Sequence, residues 1–508
     1  MTAAGLRTLL RDRMKMSGEL SQGVEMPSTQ TSIDARAALR AAAHATALRL
    51  PPGHGIPDPR HLSLLSEMEY LASPRVWTDK SARALAAMFA SRARRDALGD
   101  GAALIRRYFD GARLTRPATL SMDTRALLLA SAGEYLCAIG QPQVAVRFGR
   151  EAQLFAESDP VRYYALTVTA LGFALNGEYT SAGPAMRAAG DLFRANGWPD
   201  AESSYLLLLA DALVAAARMD HPRLRWLARE LDRVHAEDPY STYAARAIDT
   251  MSQLIRGDHA AGLAASTQLL HGSEHSMSQR FVRQFLLCIQ SDILLAQGCY
   301  AESLASISAI ESPEGHGICF AMQRGGALLF LGRERDLLAE TEPCAAADAD
   351  HCLRTLTPLL LRRAIAFRRL GNDRRATQSM ESALLLIART GNSMTPFIML
   401  PSEECMELVD AAVRIHPELA ETAAYIRSAL ASVGAPVDAP RPADELRGLT
   451  PTERALAELL LTPASLADIA RGRGVSLNTV KSQVRSIYVK LGVGARPEAV
   501  DELQRILA

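Results

Sequence analysis

Apolar residues along this chain recur at i, i+3, i+4 and i+7 in segment after segment, while strict two-residue alternation is scarce. The pattern predicts helices almost throughout. A helical zone over residues 122–431 shows a second, longer period: an apolar helix closes on a turn residue, and an alanine-rich helix restarts a few positions later. The turn residue is Gly140, Gly177, Gly257, Gly298, Gly332 or Gly371, with a seventh turn at Asp220-His221-Pro222. From Gly140 to Gly371 the spacing averages about 39 residues, which is the length of a helical hairpin. A glycine just past each first helix supplies a left-handed C-cap, and a small residue such as Ala301 or Ala376 in the second helix allows close packing. One hairpin cannot bury its own apolar face, so about seven must stack into a continuous core with a curved surface.

Other segments break this rhythm. Residues 1–30 are rich in Ser, Gly, Gln and Met without an apolar period, which predicts a mobile arm. Residues 31–121 hold two helical stretches, Asp34–Leu50 and Ser81–Leu98, separated by Pro51, Pro52, Gly53, Gly55, Pro57 and Pro59. Residues 432–448 contain Pro436, Pro440 and Pro442 and predict an extended linker to a separate domain at 449–508. The hairpin zone resembles the tetratricopeptide-like arrays of bacterial regulators, and the predicted fold class is all-α, a solenoid of helical hairpins followed by a small four-helix domain.

The tail carries dense local signals. Thr450 suits an N-cap, Pro451 the first helical position, and Glu453 can reach back to the Thr450 amide. Ser465 can cap a second helix, Leu466–Arg471, and Gly472–Gly474 makes a turn. Ser476 can cap a third, Leu477–Leu491, on which Val480, Val484, Ile487 and Leu491 form one apolar stripe. The opposite face presents Asn478, Lys481, Ser482, Arg485 and, farther on, Lys490. These side chains can donate to phosphate oxygens and base edges in a major groove. A fourth helix, Pro497–Leu507, places Val500, Leu503, Ile506 and Leu507 on an apolar stripe.

The run from Val475 to Val493, with Arg496, Ala499 and the opening Leu449-Thr450-x-x-Glu453, resembles the LuxR/GerE helix-turn-helix signature. The resemblance covers about one-eighth of the chain. It implies sequence-specific binding of double-stranded promoter DNA, with base reading at Lys481, Ser482 and Arg485. It also implies backbone contacts from Ser476, Thr479 and Lys490, and pairing of two domains through the fourth helix. Arg473 stands where that family usually has leucine, and Gln483 where a histidine is common.

Composition adds mainly exclusions. The 56 basic residues equal the 56 acidic ones, so any affinity for nucleic acid is local. From Asp468 to Arg496 six basic residues face one acidic residue, and two of the four lysines in the chain, Lys481 and Lys490, lie on the third tail helix. No apolar run follows Arg7, Arg11, Arg13 and Lys15, and none reaches the ~20 residues of a membrane span, so a cytoplasmic protein without membrane contact is expected. Seven scattered cysteines without a CxxC pair read as reduced thiols.

Gly257-x-x-x-x-Gly262 continues with Leu263 and Ala264 and is no P-loop, so no nucleotide or other cofactor is expected. Cys344, Asp348, Asp350, His351 and Cys352 match no usual zinc spacing, so no metal site is expected there. No catalytic constellation emerges. Tyr163, Tyr164, Phe173, Trp198, Tyr205 and Trp226 read first as core, and second as the wall of a ligand groove. The functional expectation is a transcription regulator, dimeric, whose array senses a small molecule or protein, with RNA polymerase as a further partner. A protein-interaction scaffold or anti-regulator with a degenerate tail is the alternative.

Overall fold

The computed structural model describes residues 74–200, 203–273, 277–347, 351–391, 393–397, 399–433, 451–462, 464–491 and 493–507. The expected arm 1–30, the helix Asp34–Leu50, the proline-bearing break at 51–59 and the linker from 434 onward lie outside them. The described residues are almost wholly helical. The exceptions to the all-α expectation are two small strand pairs: β1 (Trp77–Thr78) runs parallel to β4 (Ala118–Thr119), and β2 (Phe109–Asp110) antiparallel to β3 (Arg113–Leu114).

Helices α1 (Asp79–Arg94) and α2 (Ala102–Tyr108) precede a series of hairpins. The first three are α3 (Met122–Ala138) with α4 (Pro142–Phe155), α5 (Asp159–Asn176) with α6 (Tyr179–Ala195), and α7 (Tyr205–Ala217) with α8 (His221–Val234). Then come α9 (Pro239–Arg256) with α10 (His259–His271), α11 (Arg280–Ala296) with α12 (Tyr300–Ile307), and α13 (Phe320–Phe330) with α14 (Glu334–Ala346). The last two are α15 (Leu353–Arg369) with α16 (Asp373–Thr390), and α17 (Ser402–Ile415) with α18 (Ala420–Val433). The first seven turn at the seven expected places. At six of these a glycine holds φ between +66° and +86°, and at the seventh Met219 adopts +60°.

Two of these glycines separate backbone freedom from packing. A Cβ on Gly257 would meet nothing within 4 Å, whereas one on Gly177 would lie 2.9 Å from the Arg354 backbone. Gly257→Ala is therefore expected to cost the left-handed penalty alone, about 1–2 kcal/mol. Gly177→Ala should cost more, and equilibrium denaturation of the two variants measures the difference.

Packing corrects one expectation about the second helices. Ala376 is fully buried as expected, but Ala301 is exposed. Ser303 takes the close-packing role instead, its hydroxyl 2.8 Å from that of Ser291. The described part of the 31–121 zone also packs directly on the first hairpin. Trp77, Leu85, Phe89 and Tyr108 share one apolar cluster with Tyr135, Phe148 and Tyr164.

Within this cluster lies an ion pair. The Glu134 carboxylate, 3% exposed, accepts from Arg94 Nε at 2.6 Å and Nη2 at 3.1 Å, and from the Tyr164 hydroxyl. Burial alone would push the Arg94 guanidinium down, but Glu134 holds it above its ordinary value.

The array curls until distant hairpins meet. The Gly317 amide donates to the Gly140 carbonyl (3.2 Å), Gln143 Nε2 to the His351 carbonyl (3.0 Å) and Arg354 Nε to the Leu175 carbonyl (3.0 Å). The Met394 amide likewise reaches the Ala217 carbonyl at 2.8 Å, and Arg283 pairs with Asp96 at 3.0 Å. Several first helices, among them α5, α7, α9 and α11, line an interior.

Candidate nucleic-acid interface

The tail folds as four helices: α19 (Pro451–Leu460), α20 (Leu466–Gly472), α21 (Leu477–Leu491) and α22 (Arg496–Leu507). Ser465 caps α20 by accepting the Asp468 amide at 3.2 Å, while Asp468 Oδ2 receives the Ser465 amide at 3.4 Å. Gly474, at φ +65°, makes the turn, and the Val475 amide closes it on the Ala470 carbonyl at 3.1 Å. Ser476 Oγ then accepts the Thr479 amide at 3.1 Å and starts α21. The expected Thr450 cap and the side chains of Ile506 and Leu507 lie outside the described residues.

Val480, Val484 and Ile487 are buried against Leu456, Leu460, Ile469 and Leu503, so the α21 stripe forms the centre of the domain. That stripe fixes which residues face outward. Ser476, Asn478, Thr479, Lys481, Ser482 and Arg485 are all exposed. Asn478, Ser482, Arg485 and Val489 recur at i, i+4, i+7 and i+11 and share a face with Lys481; Val489 is 76% exposed. Such a helix presents donors along one exposed edge, with an apolar residue at its far end.

The six cations between Asp468 and Arg496 divide into two sets. Arg471 pairs with Asp468 at 3.0 Å. Arg496 caps the end of α19 by donating to the carbonyls of Leu460, Thr462 and Ala464 at 2.7–3.1 Å. Arg473, which stands in place of leucine, donates from Nη2 to the Thr452 carbonyl of α19 at 3.4 Å. Its Nη1 and the Gln483 Oε1 are buried without a hydrogen-bond partner among the described residues.

Lys490, expected at the DNA backbone, is ion-paired: its Nζ lies 2.7 Å from Glu453 Oε2. Glu453 was read from sequence as part of a cap. In the structure its carboxylate is buried and receives Ser486 Oγ at 2.7 Å as well as Lys490, joining α19 to α21. No local signal could show this, because the partners lie 33 and 37 residues away. Lys481 and Arg485 are the two of the six with no hydrogen-bond or ion-pair partner among the described residues. Replacing Glu453 with alanine is expected to destabilise the tail by about 1–3 kcal/mol, because a buried charged acceptor with two donors is lost. Hydrogen exchange along α21 reads that loss directly.

The array interior holds two adjoining cavities. One, about 930 Å³ with its open mouth, is walled by Leu171, Tyr205, Leu209, Met251, Phe281 and Phe285 and is almost wholly apolar. The other, of similar volume, shares Met251 and Phe285 but adds Asp292, Gln323, Arg354 and Arg362. Burial pushes the Asp292 carboxyl up to about 6 against the opposing pull of Arg362 and Gln323. Of the six aromatic residues singled out in the sequence, Tyr163, Tyr164 and Phe173 are core and Tyr205 lines the first cavity. Trp198 packs edge-on against Tyr163, and Trp226 is 43% exposed beneath the Arg223 guanidinium. Among the described residues no helix is long and apolar enough to cross a membrane.

No family model matches the chain. A stretch of 65 residues is 42% identical to proteins named as candidate HTH-type transcriptional regulators in Mycobacterium bovis and Mycobacterium tuberculosis, covering 13% of this chain. The match spans only 7% of the length of those relatives. Over that stretch the chain is similar to helix-turn-helix transcription regulators.

Proposed function

We propose that the chain is a LuxR-type transcription regulator that reads promoter DNA through α21, using Lys481, Ser482 and Arg485 on base edges and Ser476, Asn478 and Thr479 around them. The carrying observation is the division of cations: Arg471, Arg473, Lys490 and Arg496 bond to groups of the tail itself, while Lys481 and Arg485 stand exposed and unpartnered among the described residues on the outward face of a capped helix. The length of the mycobacterial match, close to that of one such domain, also supports the reading. In it, two tails pair through α22 on half-sites about one helical turn apart.

The array is the control element. Its apolar cavity suits a small hydrophobic effector, and a ligand that binds one arrangement of the hairpins better shifts promoter occupancy without any chemistry. RNA polymerase is the partner through which a bound dimer alters transcription. The scaffold reading draws on Arg473 Nη1 and Gln483 Oε1, whose buried, unmet hydrogen-bonding groups weigh against the stability of the tail.

A mobility-shift assay with duplex DNA from upstream of the gene itself tests the proposal. Specific retardation at moderate salt is expected. Its absence, with a cooperatively folded tail in the full chain, would sink the regulator reading and leave the scaffold.

A further inference from the structure

Away from the tail, four side chains from separate stretches of the array converge. His316 lies in the loop before α13, Cys319 at the start of α13, Cys344 near the end of α14, and His351 just before α15. One ligand atom from each lies within 4.8 Å of all the others. The sulfurs of Cys319 and Cys344 are 3.7 Å apart, and Cys344 Sγ is 3.7 Å from His316 Nδ1. Two thiolates bound tetrahedrally to one zinc at ~2.3 Å each sit about 3.8 Å apart. A disulfide would need them at about 2 Å.

The surroundings fit the same purpose. Cys319, Cys344 and His351 are buried. His351 Nδ1 lies 3.0 Å from the Cys352 carbonyl, and as donor to that oxygen it leaves Nε2 with a free lone pair. That Nε2 is buried and has no hydrogen-bond partner among the described residues. Cys319 Sγ receives the Met322 amide at 3.3 Å at the N-terminus of a helix, where negative charge on sulfur is favoured. His316 is held at φ +49°, an uncommon conformation for a residue with a side chain, and Thr355 donates to its carbonyl at 2.9 Å.

We propose that His316, Cys319, Cys344 and His351 form a tetrahedral zinc site that ties α13, α14 and the start of α15 together. Four protein donors leave no open position for substrate, so the metal acts as a clamp and not as a hydrolytic centre. The clamp sits where the curled array meets itself, next to the Gly317–Gly140 and Gln143–His351 contacts. The spacing is His-x2-Cys followed by Cys-x6-His, so neither pair reveals itself without the other. In sequence, Cys344, His351 and Cys352 with the aspartates nearby match no usual zinc spacing, and no site is expected from them. Cys352 instead points its thiol at the Leu175 carbonyl, and Asp348 and Asp350 lie outside the described residues.

Full-length protein, kept reduced, stripped with chelator and titrated with Zn²⁺ or Co²⁺, tests the assignment. Elemental analysis should find one zinc per chain after dialysis. The cobalt form should show thiolate-to-metal charge transfer and strong tetrahedral d–d bands. His316→Gln, at the half-buried ligand, should weaken zinc binding at least about tenfold, since even outer partners of a ligand matter on that scale. Cys405→Ala, remote from the cluster, should leave it unchanged. An octahedral cobalt spectrum, zinc lost on dialysis, a native Cys319–Cys344 disulfide, or unaltered affinity in His316→Gln would each overturn the site. Should Cys344→Ser fail to fold, the wild-type cobalt spectrum and His316→Gln still decide.

Discussion

Lys481→Ala and Arg485→Ala should each weaken specific DNA binding by about 1–3 kcal/mol, a roughly fivefold to 150-fold fall in affinity. Neither should move the melting of the tail, because neither side chain has a partner in the fold among the described residues. The two sit at i and i+4, so their effects are expected to couple, and the double variant should lose at least as much as the worse single one. Base reading and phosphate contact separate by salt. A cation that touches only phosphate lowers the slope of log affinity against log salt by about one when removed, uniformly across sequences. One that reads a base relaxes specificity at one position. Anisotropy titrations at several salt concentrations distinguish the roles of Lys481 and Arg485, and Arg471→Ala serves as the comparison cation, being paired with Asp468.

The largest expected effect on stability lies at the other end of the chain. Removing Glu134 as Glu134→Ala leaves the Arg94 guanidinium, its side chain only 17% exposed, without its bidentate acceptor and the Tyr164 hydroxyl without its carboxylate partner. Breaking a buried pair from one side typically costs about 3–5 kcal/mol, mostly the burden of an uncompensated charge. Glu134→Ala should therefore unfold the first hairpins at denaturant concentrations the wild type tolerates. The double variant Glu134→Ala with Arg94→Met should recover part of the loss by removing the stranded charge as well. Equilibrium urea unfolding of the two variants measures this; equal losses would show that the ion pair is not the source.

How much of this was legible in the sequence follows from the range of the signals. Each hairpin turn is a local event, set by a helix C-cap and a glycine, and all seven stood where the period placed them. Even Met219, with no glycine, was reached through Asp220 and Pro222. The tail was legible for the same reason, since Ser465, Ser476 and the Val480–Val484–Ile487 stripe act within a few residues. What escaped depends on closure of the array or on contacts between helices. Glu453 reads locally as a cap residue, and only the fold brings Ser486 and Lys490 to it as well. The ion pair of Lys490 with Glu453 leaves no local mark for the same reason. His316 and Cys319 lie 25 or more residues from Cys344 and His351, and only stacking and curling bring the four together. Ala301 faced outward because a helix of eight residues settles its phase by packing on α11, which its composition does not record.

If α21 reads DNA, the full-length protein must select a sequence through Lys481 and Arg485. The most direct measurement is selection of bound sequences from a pool of randomised duplexes by the full-length protein, run beside the Lys481→Ala/Arg485→Ala double variant. A single enriched motif with wild type, lost in the double variant while the tail stays folded, is the predicted result. No enrichment by a folded wild-type protein, or the same motif enriched equally by both, would contradict it.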